Sequence, residues 1–145
     1  MRIMTGVRDH QDESAVRLAG RAIEQVMSSP PCCVASSMTL GDALAGMARE
    51  KLRHLVVNDD GGRCVGVLAD RAIAAAWAAE PGTLSNRRVS SVLDPVPAVV
   101  GVDATVVDAA RRMRTACVDA VAVVDARGVA VGIVTGSDLV ALLAG

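Results

Sequence analysis

The distribution of apolar and polar positions predicts short strands that alternate with amphipathic helices. Leu40, Leu44 and Met47 recur at helical spacing, and an apolar strand follows over residues 54–57. A glycine-bearing turn then leads to a second strand, and an alanine-rich helix is predicted from about 71 to 79. With a short extended stretch before the first helix, these elements give the order β-α-β-β-α.

The second half of the chain repeats the first. A shift of 66 residues lays one half on the other without a gap, and the turns with their glycines coincide. Identities held in one register over such long segments indicate a tandem duplication. The identical pairs include Val26 and Val92, Pro31 and Pro97, Thr39 and Thr105, Asp42 and Asp108, Met47 and Met113, and Gly66 and Gly132.

The duplication predicts a mixed fold, α/β of the α+β kind, in four parts. These parts are an N-terminal arm (1–22), a first repeat (23–79), a linker (80–88) and a second repeat (89–145). The arm begins with polar residues and lies outside the repeat, so we expect it to be mobile.

Composition and charge narrow the function classes. The 145 residues are 52% hydrophobic and 21% charged, with a formal net charge of −1 and a single aromatic residue, Trp77. A near-neutral chain without aromatic stacking platforms is not expected to bind nucleic acid. No window approaches the roughly 20 apolar residues of a spanning helix. The charged N-terminus also lacks a signal-peptide core, so we expect a cytoplasmic protein without a membrane segment.

The cysteine and histidine spacings predict neither a metal site nor a catalytic centre. Cys32, Cys33, Cys64 and Cys117 show no CxxC spacing, and the chain has only two histidines. We expect buried free thiols, with a redox pair of Cys33 and Cys64 as the alternative. The sequence places no nucleophile next to a base, so no enzymatic activity is predicted.

The segment Gly-Ile-Val-Thr-Gly-Ser-Asp at 132–138 has the clearest chemical meaning. A strand ends and a helix begins there, so unpaired helix N–H groups and the hydroxyls of Thr135 and Ser137 could hold a phosphate. The Asp138 carboxylate could accept two hydrogen bonds from a ribose diol. The alternative is that Ser137 or Asp138 only caps the helix.

The duplicated pattern resembles a pair of CBS (cystathionine-β-synthase) domains over residues 23–145. The motifs that carry the resemblance are the glycine-ended strands of both copies, Leu-Arg-His-Leu at 52–55, and the segment at 132–138. The resemblance implies two β-α-β-β-α units packed by pseudo-two-fold symmetry, with two clefts. It also implies an adenosine-containing regulatory ligand (AMP, ADP, ATP or S-adenosylmethionine) that is not a cofactor, and a homodimer formed through the helices.

Carried onto this chain, the resemblance assigns the ligand mainly to the second copy. Thr135 and Ser137 are expected to hold phosphate, and Asp138 is expected to hold the ribose. The base is expected to be read by backbone groups. The residues expected to wall the base are Pro97, Val99, Ala120 and Val121.

The first copy departs from this pattern at the positions that would hold the ligand. Ala69 stands where the second copy has Thr135, and Ala72 stands where it has Asp138. Losing a carboxylate that accepts charge-assisted hydrogen bonds lowers affinity roughly ten- to a hundredfold. A weak or lost second site is therefore predicted around Ala69, Arg71, Ala72 and His54.

Three polar residues near the sites have two interpretations each. His54 is expected to be a packed ring, with a role as a base as the alternative. Arg71 is either solvated or directed at a phosphate across the cleft. Asp119, which replaces Arg53, is either exposed or accepts a hydrogen bond from the adenine amino group.

The sequence thus predicts a stand-alone sensor of an adenosine-containing ligand. Because no catalytic domain follows the second repeat, the regulated activity is expected to belong to a partner protein in trans. The alternative is a structural dimerisation module whose nucleotide site has decayed. Ala69 and Ala72 favour that alternative, and the intact segment 132–138 opposes it. The sequence does not decide which adenosine compound binds.

Overall fold

The computed structural model describes residues 12–145, and within them each repeat shows the expected order of elements. Helix α1 spans 12–19. The first repeat contains β1 (Cys33–Ala35), α2 (Leu40–Glu50), β2 (His54–Asn58), β3 (Cys64–Ala69) and α3 (Asp70–Ala79). The second contains β4 (Val99–Gly101), α4 (Val106–Ala116), β5 (Ala120–Val124), β6 (Ala130–Thr135) and α5 (Gly136–Ala144).

The N-terminal segment differs from the expected mobile arm. Residues 12–19 are helical, and a short 3₁₀ helix covers Ile23–Gln25. Residues 1–11 of the predicted arm lie outside the described residues. The linker is also structured, because it holds a 3₁₀ helix over Pro81–Ser85.

Each repeat folds into one three-stranded sheet, in the orders β1-β2-β3 and β4-β5-β6. The first two strands of each sheet are parallel and the last two are antiparallel. A helix joins the parallel pair, whereas a hairpin joins the antiparallel pair, as strand direction requires. Gly62 and Gly128 each have φ +81° in those hairpins, a backbone conformation that glycine adopts without strain.

The two sheets pack against each other and share a buried apolar cluster, and a second cluster lies within the first repeat around α2 and α3. Strand β3 contacts both β4 and β5 across the boundary between the repeats. Val56 and Val67 of the first repeat lie in one buried cluster with Val121, Val123 and Val134 of the second. Since each sheet covers the apolar face of the other, the pseudo-two-fold pair of β-α-β-β-α units that the resemblance implies is confirmed.

The segment at the start of each repeat crosses over to the other repeat. The Ile23 N–H donates to the Ala104 carbonyl at 3.0 Å, and the Val89 N–H donates to the Met38 carbonyl at 2.8 Å. The 66-residue shift relates these two bonds to each other. Ile23 and Val89 are both fully buried, so the crossing segments are part of the core.

The crossing segment of the first repeat also runs beside β6. Ser28 exchanges two backbone hydrogen bonds with Ile133, of 2.9 and 3.0 Å. Met27 packs over Gly132, where a Cβ atom would lie 2.5 Å from the Met27 sulfur. The close approach of Met27 explains why position 132, within β6, is a glycine. The same crossing segment brings Ser28 close to the start of α5, the helix that follows β6.

The helices of the described region are short. No helix within residues 12–145 is both long and apolar enough to cross a lipid bilayer.

Candidate functional site

Two clefts lie at the boundary between the repeats, and each is built from both of them. The second-repeat cleft lies at the start of α5, where Thr135, Ser137 and Asp138 line a volume of about 290 Å³. Its opposite side comes from the first repeat, through Ser28 and residues 51–54. The first-repeat cleft, of about 340 Å³, lies at the start of α3, and its opposite side consists of Val92, Asp94, Cys117 and Val118.

Helix α5 begins with a reciprocal cap between Thr135 and Asp138. The Asp138 N–H donates to Thr135 Oγ1 at 3.2 Å, and the Thr135 N–H donates to Asp138 Oδ2 at 2.8 Å. Thr135 is therefore the N-cap of α5 and Asp138 is its partner three residues later, whereas the alternative drawn from the sequence gave the cap to Ser137 or Asp138 itself. Its other oxygen, Oδ1, has no hydrogen-bond partner among residues 12–145 and stays available to a ligand.

The first turn of α5 keeps one N–H group for a ligand. The Gly136 N–H donates to the Asp119 carbonyl at 2.7 Å, and the Asp138 N–H is used in the cap. Ser137 is exposed, and within the described part of the chain no acceptor binds its N–H. The Ser137 N–H and hydroxyl are thus the groups at this helix N-terminus that can meet an anion.

The first repeat supplies the positive charge of the second-repeat cleft. Lys51 ends α2 in the left-handed conformation with φ 56°, and this turn directs residues 51–54 along the cleft. Lys51 and Arg53 are exposed, whereas the His54 side chain is only 12% exposed. Two cationic side chains and a buried imidazole therefore lie across from the start of α5.

The residues expected to wall the base do not line the second-repeat cleft, because the opposite side of each cleft comes from the other repeat. Ala120 and Val121 have no exposed surface and lie inside the core. Val99 lines a separate groove beside α4, and Pro97 is exposed outside the second-repeat cleft. The position of the base stays a prediction.

The first-repeat cleft lacks the groups that equip its counterpart. Ala69 is the N-cap of α3 and offers no side-chain hydrogen bond, and Ala72 replaces the carboxylate. The Asp70 carboxylate accepts the Arg71 N–H at 2.7 Å, so an internal acid already occupies the start of this helix. Opposite, Cys117 takes the place of Lys51.

A network of three charged or titratable side chains joins the two clefts. Asp119 Oδ1 lies 2.8 Å from His54 Nε2 and 3.6 Å from Arg71 Nη2. The hydrogen bond with His54 holds the pKa of the Asp119 carboxyl below its usual range, although burial opposes this effect. His54, which the sequence grouped with the weak site, therefore lines the second-repeat cleft, whereas Arg71 lines the first.

The cysteines are free thiols, so the alternative of a bridge between Cys33 and Cys64 is not observed. Only Cys64 is partly buried, and the expectation that all four are buried is wrong. Burial raises the pKa of the Cys64 thiol, which disfavours the reactive thiolate. Within residues 12–145, no group of three or more side chains is arranged to hold a metal ion.

The fold thus consists of two sheet-and-helix repeats that form two composite clefts. The CBS domain family matches residues 23–79 and 89–145, and the chain belongs to this family. A CBS domain-containing protein from Dictyostelium discoideum is 30% identical over 130 residues, which cover 83% of this chain and 90% of that protein. The resemblance inferred from the motifs is confirmed.

Two solved structures share the fold. The structure of CBSX2 in complex with AMP has a TM-score of 0.68 and 29% identity, covering 84% of this chain and 95% of that one. The CBS domain pair of protein MJ0100 in complex with 5′-methylthioadenosine and S-adenosyl-L-methionine has a TM-score of 0.73 and 25% identity. That match covers 87% of this chain and 98% of the other.

The sequence did not identify the contributions of Ser28, Lys51 and Arg53 to the second-repeat cleft. Part of the signal was present, since residues 52–55 were recognised as a motif. Nothing in the local pattern says which of two equivalent helix starts this motif faces.

Proposed function

We propose that this protein is a regulatory sensor that binds an adenosine nucleotide in the second-repeat cleft. The observation that carries the proposal is the meeting of three kinds of group at one place. Asp138 offers a carboxylate oxygen, Ser137 offers an N–H and a hydroxyl, and Lys51 and Arg53 offer positive charge. A ribose diol and a phosphate require these groups.

The charges favour a nucleotide over S-adenosylmethionine. Lys51 and Arg53 lie across from the α5 N-terminus, so an anion there would meet their positive charge and the Ser137 N–H. S-adenosylmethionine carries a sulfonium cation near its ribose, which these side chains would repel. AMP, ADP and ATP place a phosphate there instead. The complex of CBSX2 with AMP supports the adenosine class, and that of MJ0100 keeps S-adenosylmethionine as a ligand to be tested.

One binding site per chain follows from the difference between the clefts. The first-repeat cleft has Ala69 and Ala72 in place of the holding side chains, and Asp70 takes the Arg71 N–H. An anion would have to displace that carboxylate. We therefore assign the first-repeat cleft weak binding at most.

Regulation is proposed to act through association with other proteins. Trp77 on α3 and Leu143 on α5 occupy equivalent positions and are 52% and 56% exposed. Exposed apolar residues on both outer helices support a homodimer formed through these faces. The regulated activity is proposed to reside in a partner in trans, and the protein is proposed to work in the cytoplasm.

The proposed action is binding without turnover. His54 and Ser137 line the same cleft, and Asp119 binds the His54 ring, which brings together a serine, a histidine and an acid. Among the described residues, however, no hydrogen bond joins Ser137 to His54, so no activated nucleophile is formed. CBS domain pairs serve generally as regulatory modules.

The second candidate is a structural dimerisation module with a decayed site. The engagement of Asp138 in the helix cap favours it, because this residue has a structural role without any ligand. In that case, its carboxylate would be kept for stability alone.

Isothermal titration calorimetry with AMP, ATP, S-adenosylmethionine and adenosine tests the proposal. We expect saturable AMP binding with one site per chain and weaker binding of S-adenosylmethionine. A matched thermal-shift series should show stabilisation of about 2.7 kcal/mol when the ligand is present at 100 times its Kd. If none of the four compounds binds or stabilises the protein, the structural module is the better description.

A further inference from the structure

Asp119 is fixed at the N-terminus of the helix that would receive the phosphate. Its carbonyl accepts the Gly136 N–H at 2.7 Å, and its Cβ would lie 3.6 Å from a Cβ atom built on Gly136. The next residue, Ser137, lines the second-repeat cleft. The backbone of Asp119 is therefore anchored to the first turn of α5.

The side chain of Asp119 lies between the two clefts. Its Oδ1 atom is 2.8 Å from His54 Nε2 and 3.6 Å from Arg71 Nη2, and the side chain is 57% exposed. His54 belongs to the second-repeat cleft and Arg71 to the first. Asp119 thus binds Nε2 of His54 across the boundary between the repeats.

This placement works against a phosphate. A ligand anion at Ser137 would lie near a fixed negative charge, and it would compete with Asp119 for His54. The equivalent position in the first repeat is Arg53, so the duplication alone does not supply this carboxylate. Lys51 and Arg53 attract an anion to the cleft, whereas Asp119 limits how much negative charge can be accommodated.

We propose that Asp119 is a specificity-determining residue, which makes the second-repeat cleft favour an adenosine ligand with little negative charge over a triphosphate. The proposal rests on the proposed function, since it concerns the ligand of the same cleft. It predicts that AMP is preferred to ATP, and that the carboxylate is the reason.

The test compares the affinities of adenosine, AMP and ATP for the wild-type protein and for Asp119→Asn by calorimetry. Asparagine keeps the size of the side chain and one acceptor oxygen for His54, removes the charge, and replaces the second oxygen by an NH2 donor. We expect about a two- to fivefold gain in affinity for AMP, a larger gain for ATP and none for adenosine, with the gains shrinking at high salt.

Asp60→Asn is the matched control. Asp60 is exposed in the hairpin between β2 and β3, so this variant makes the same change in net charge away from both clefts. It should leave all three affinities unchanged. Asp119→Ala provides a second variant, which should change the affinities in the same direction as Asp119→Asn.

Three results would overturn the proposal, and they have different meanings. If Asp119→Asn weakens adenosine as well, the carboxylate is a direct ligand contact. If it changes AMP and ATP no more than adenosine, the charge of Asp119 has no role in specificity. If wild-type protein binds none of the three compounds, the proposed function itself fails, and this inference fails with it.

Discussion

Asp138 combines a structural role with a proposed binding role, and replacing it by alanine separates the two. The substitution removes the acceptor of the Thr135 N–H, which now binds Oδ2 at 2.8 Å, and the acidic charge in the first turn of α5. A lost cap of this kind costs about 1 kcal/mol, and the charge at the helix N-terminus adds about 0.3–1 kcal/mol. We therefore expect Asp138→Ala to unfold with a free energy lower by roughly 1–2 kcal/mol.

The expected change in melting temperature follows from this loss of unfolding free energy and the number of residues in the chain. An unfolding entropy of about 2.1 cal/mol/K per residue gives about 0.3 kcal/mol/K for a chain of this length, so Tm should fall by about 3–7 °C. The ligand effect is separate. Removing hydrogen bonds between a carboxylate and the ribose should lower AMP affinity roughly ten- to a hundredfold, measured by calorimetry well below Tm.

Asp108→Ala is the matched control, because α4 begins with the same reciprocal cap away from both clefts. The Thr105 N–H donates to Asp108 Oδ2 at 2.9 Å, and the Asp108 N–H donates to Thr105 Oγ1 at 3.3 Å. This variant should also lower Tm but keep wild-type AMP affinity. The reasoning is refuted if both variants lose AMP binding to the same extent, or if Asp138→Ala binds AMP as tightly as wild type.

Three further predictions concern acid stability, thiol reactivity and association. The pKa of Asp119 is lowered chiefly by its hydrogen bond with His54. Ionised Asp119 therefore stabilises the fold at pH values above the pKa of an aspartate in the unfolded chain, about 4, and this stabilisation is lost as the pH falls through the lower pKa of the folded state. Thermal unfolding should show this loss, and Asp119→Asn should reduce it; an unchanged slope would contradict the assignment. Ellman's reagent should modify the exposed thiol of Cys117 before that of Cys64, because burial raises the pKa of the Cys64 thiol. The Cys64→Ser variant should therefore lack a slow phase of the labelling reaction and keep the fast one. Trp77 is 52% exposed, so iodide should quench its fluorescence in dilute protein, and association should protect it. The Trp77→Glu variant should have a lower mass by light scattering than the wild type. Equal masses would exclude the exposed face of α3 as the site of association.

The elements could be predicted from the sequence because local interactions determine them. The caps at Thr39 and Thr105 each combine a hydroxyl with an aspartate three positions later, a pattern that is visible without any tertiary information. The same pattern caps α5 at Thr135, where the cap was expected at Ser137 or Asp138. The glycine hairpins and the helical spacing of apolar residues are equally local. The fold class followed from their order, repeated twice.

The composition of the clefts could not be predicted in the same way. Because the chain is duplicated, the segment at the start of each repeat has two nearly equivalent sheets to pack against, its own and that of the other repeat. The local sequence pattern fits both sheets equally well. In the structure Ile23 and Val89 cross to the other repeat and are fully buried there. The prediction that Pro97, Val99, Ala120 and Val121 wall the base rests on local pattern alone, which does not show that the other repeat supplies the opposite side of each cleft.

The two clefts differ through a set of substitutions that fit one another. In the first repeat His54 lies directly opposite Ala69 in the sheet, and in the second repeat Ala120 lies opposite Thr135. In each pair the larger side chain faces an alanine, but it lies on β2 in the first repeat and on β6 in the second. As a consequence, the imidazole of the first repeat is available to the second-repeat cleft, and the capping hydroxyl belongs to that same cleft. A threonine at position 69 would face the His54 ring on the neighbouring strand, which the smaller Ala69 does not crowd. The Thr135 hydroxyl, the Asp138 carboxylate and the cations Lys51 and Arg53 are thus grouped at one helix start, whereas the equivalent positions hold Ala69, Ala72, Cys117 and Asp119.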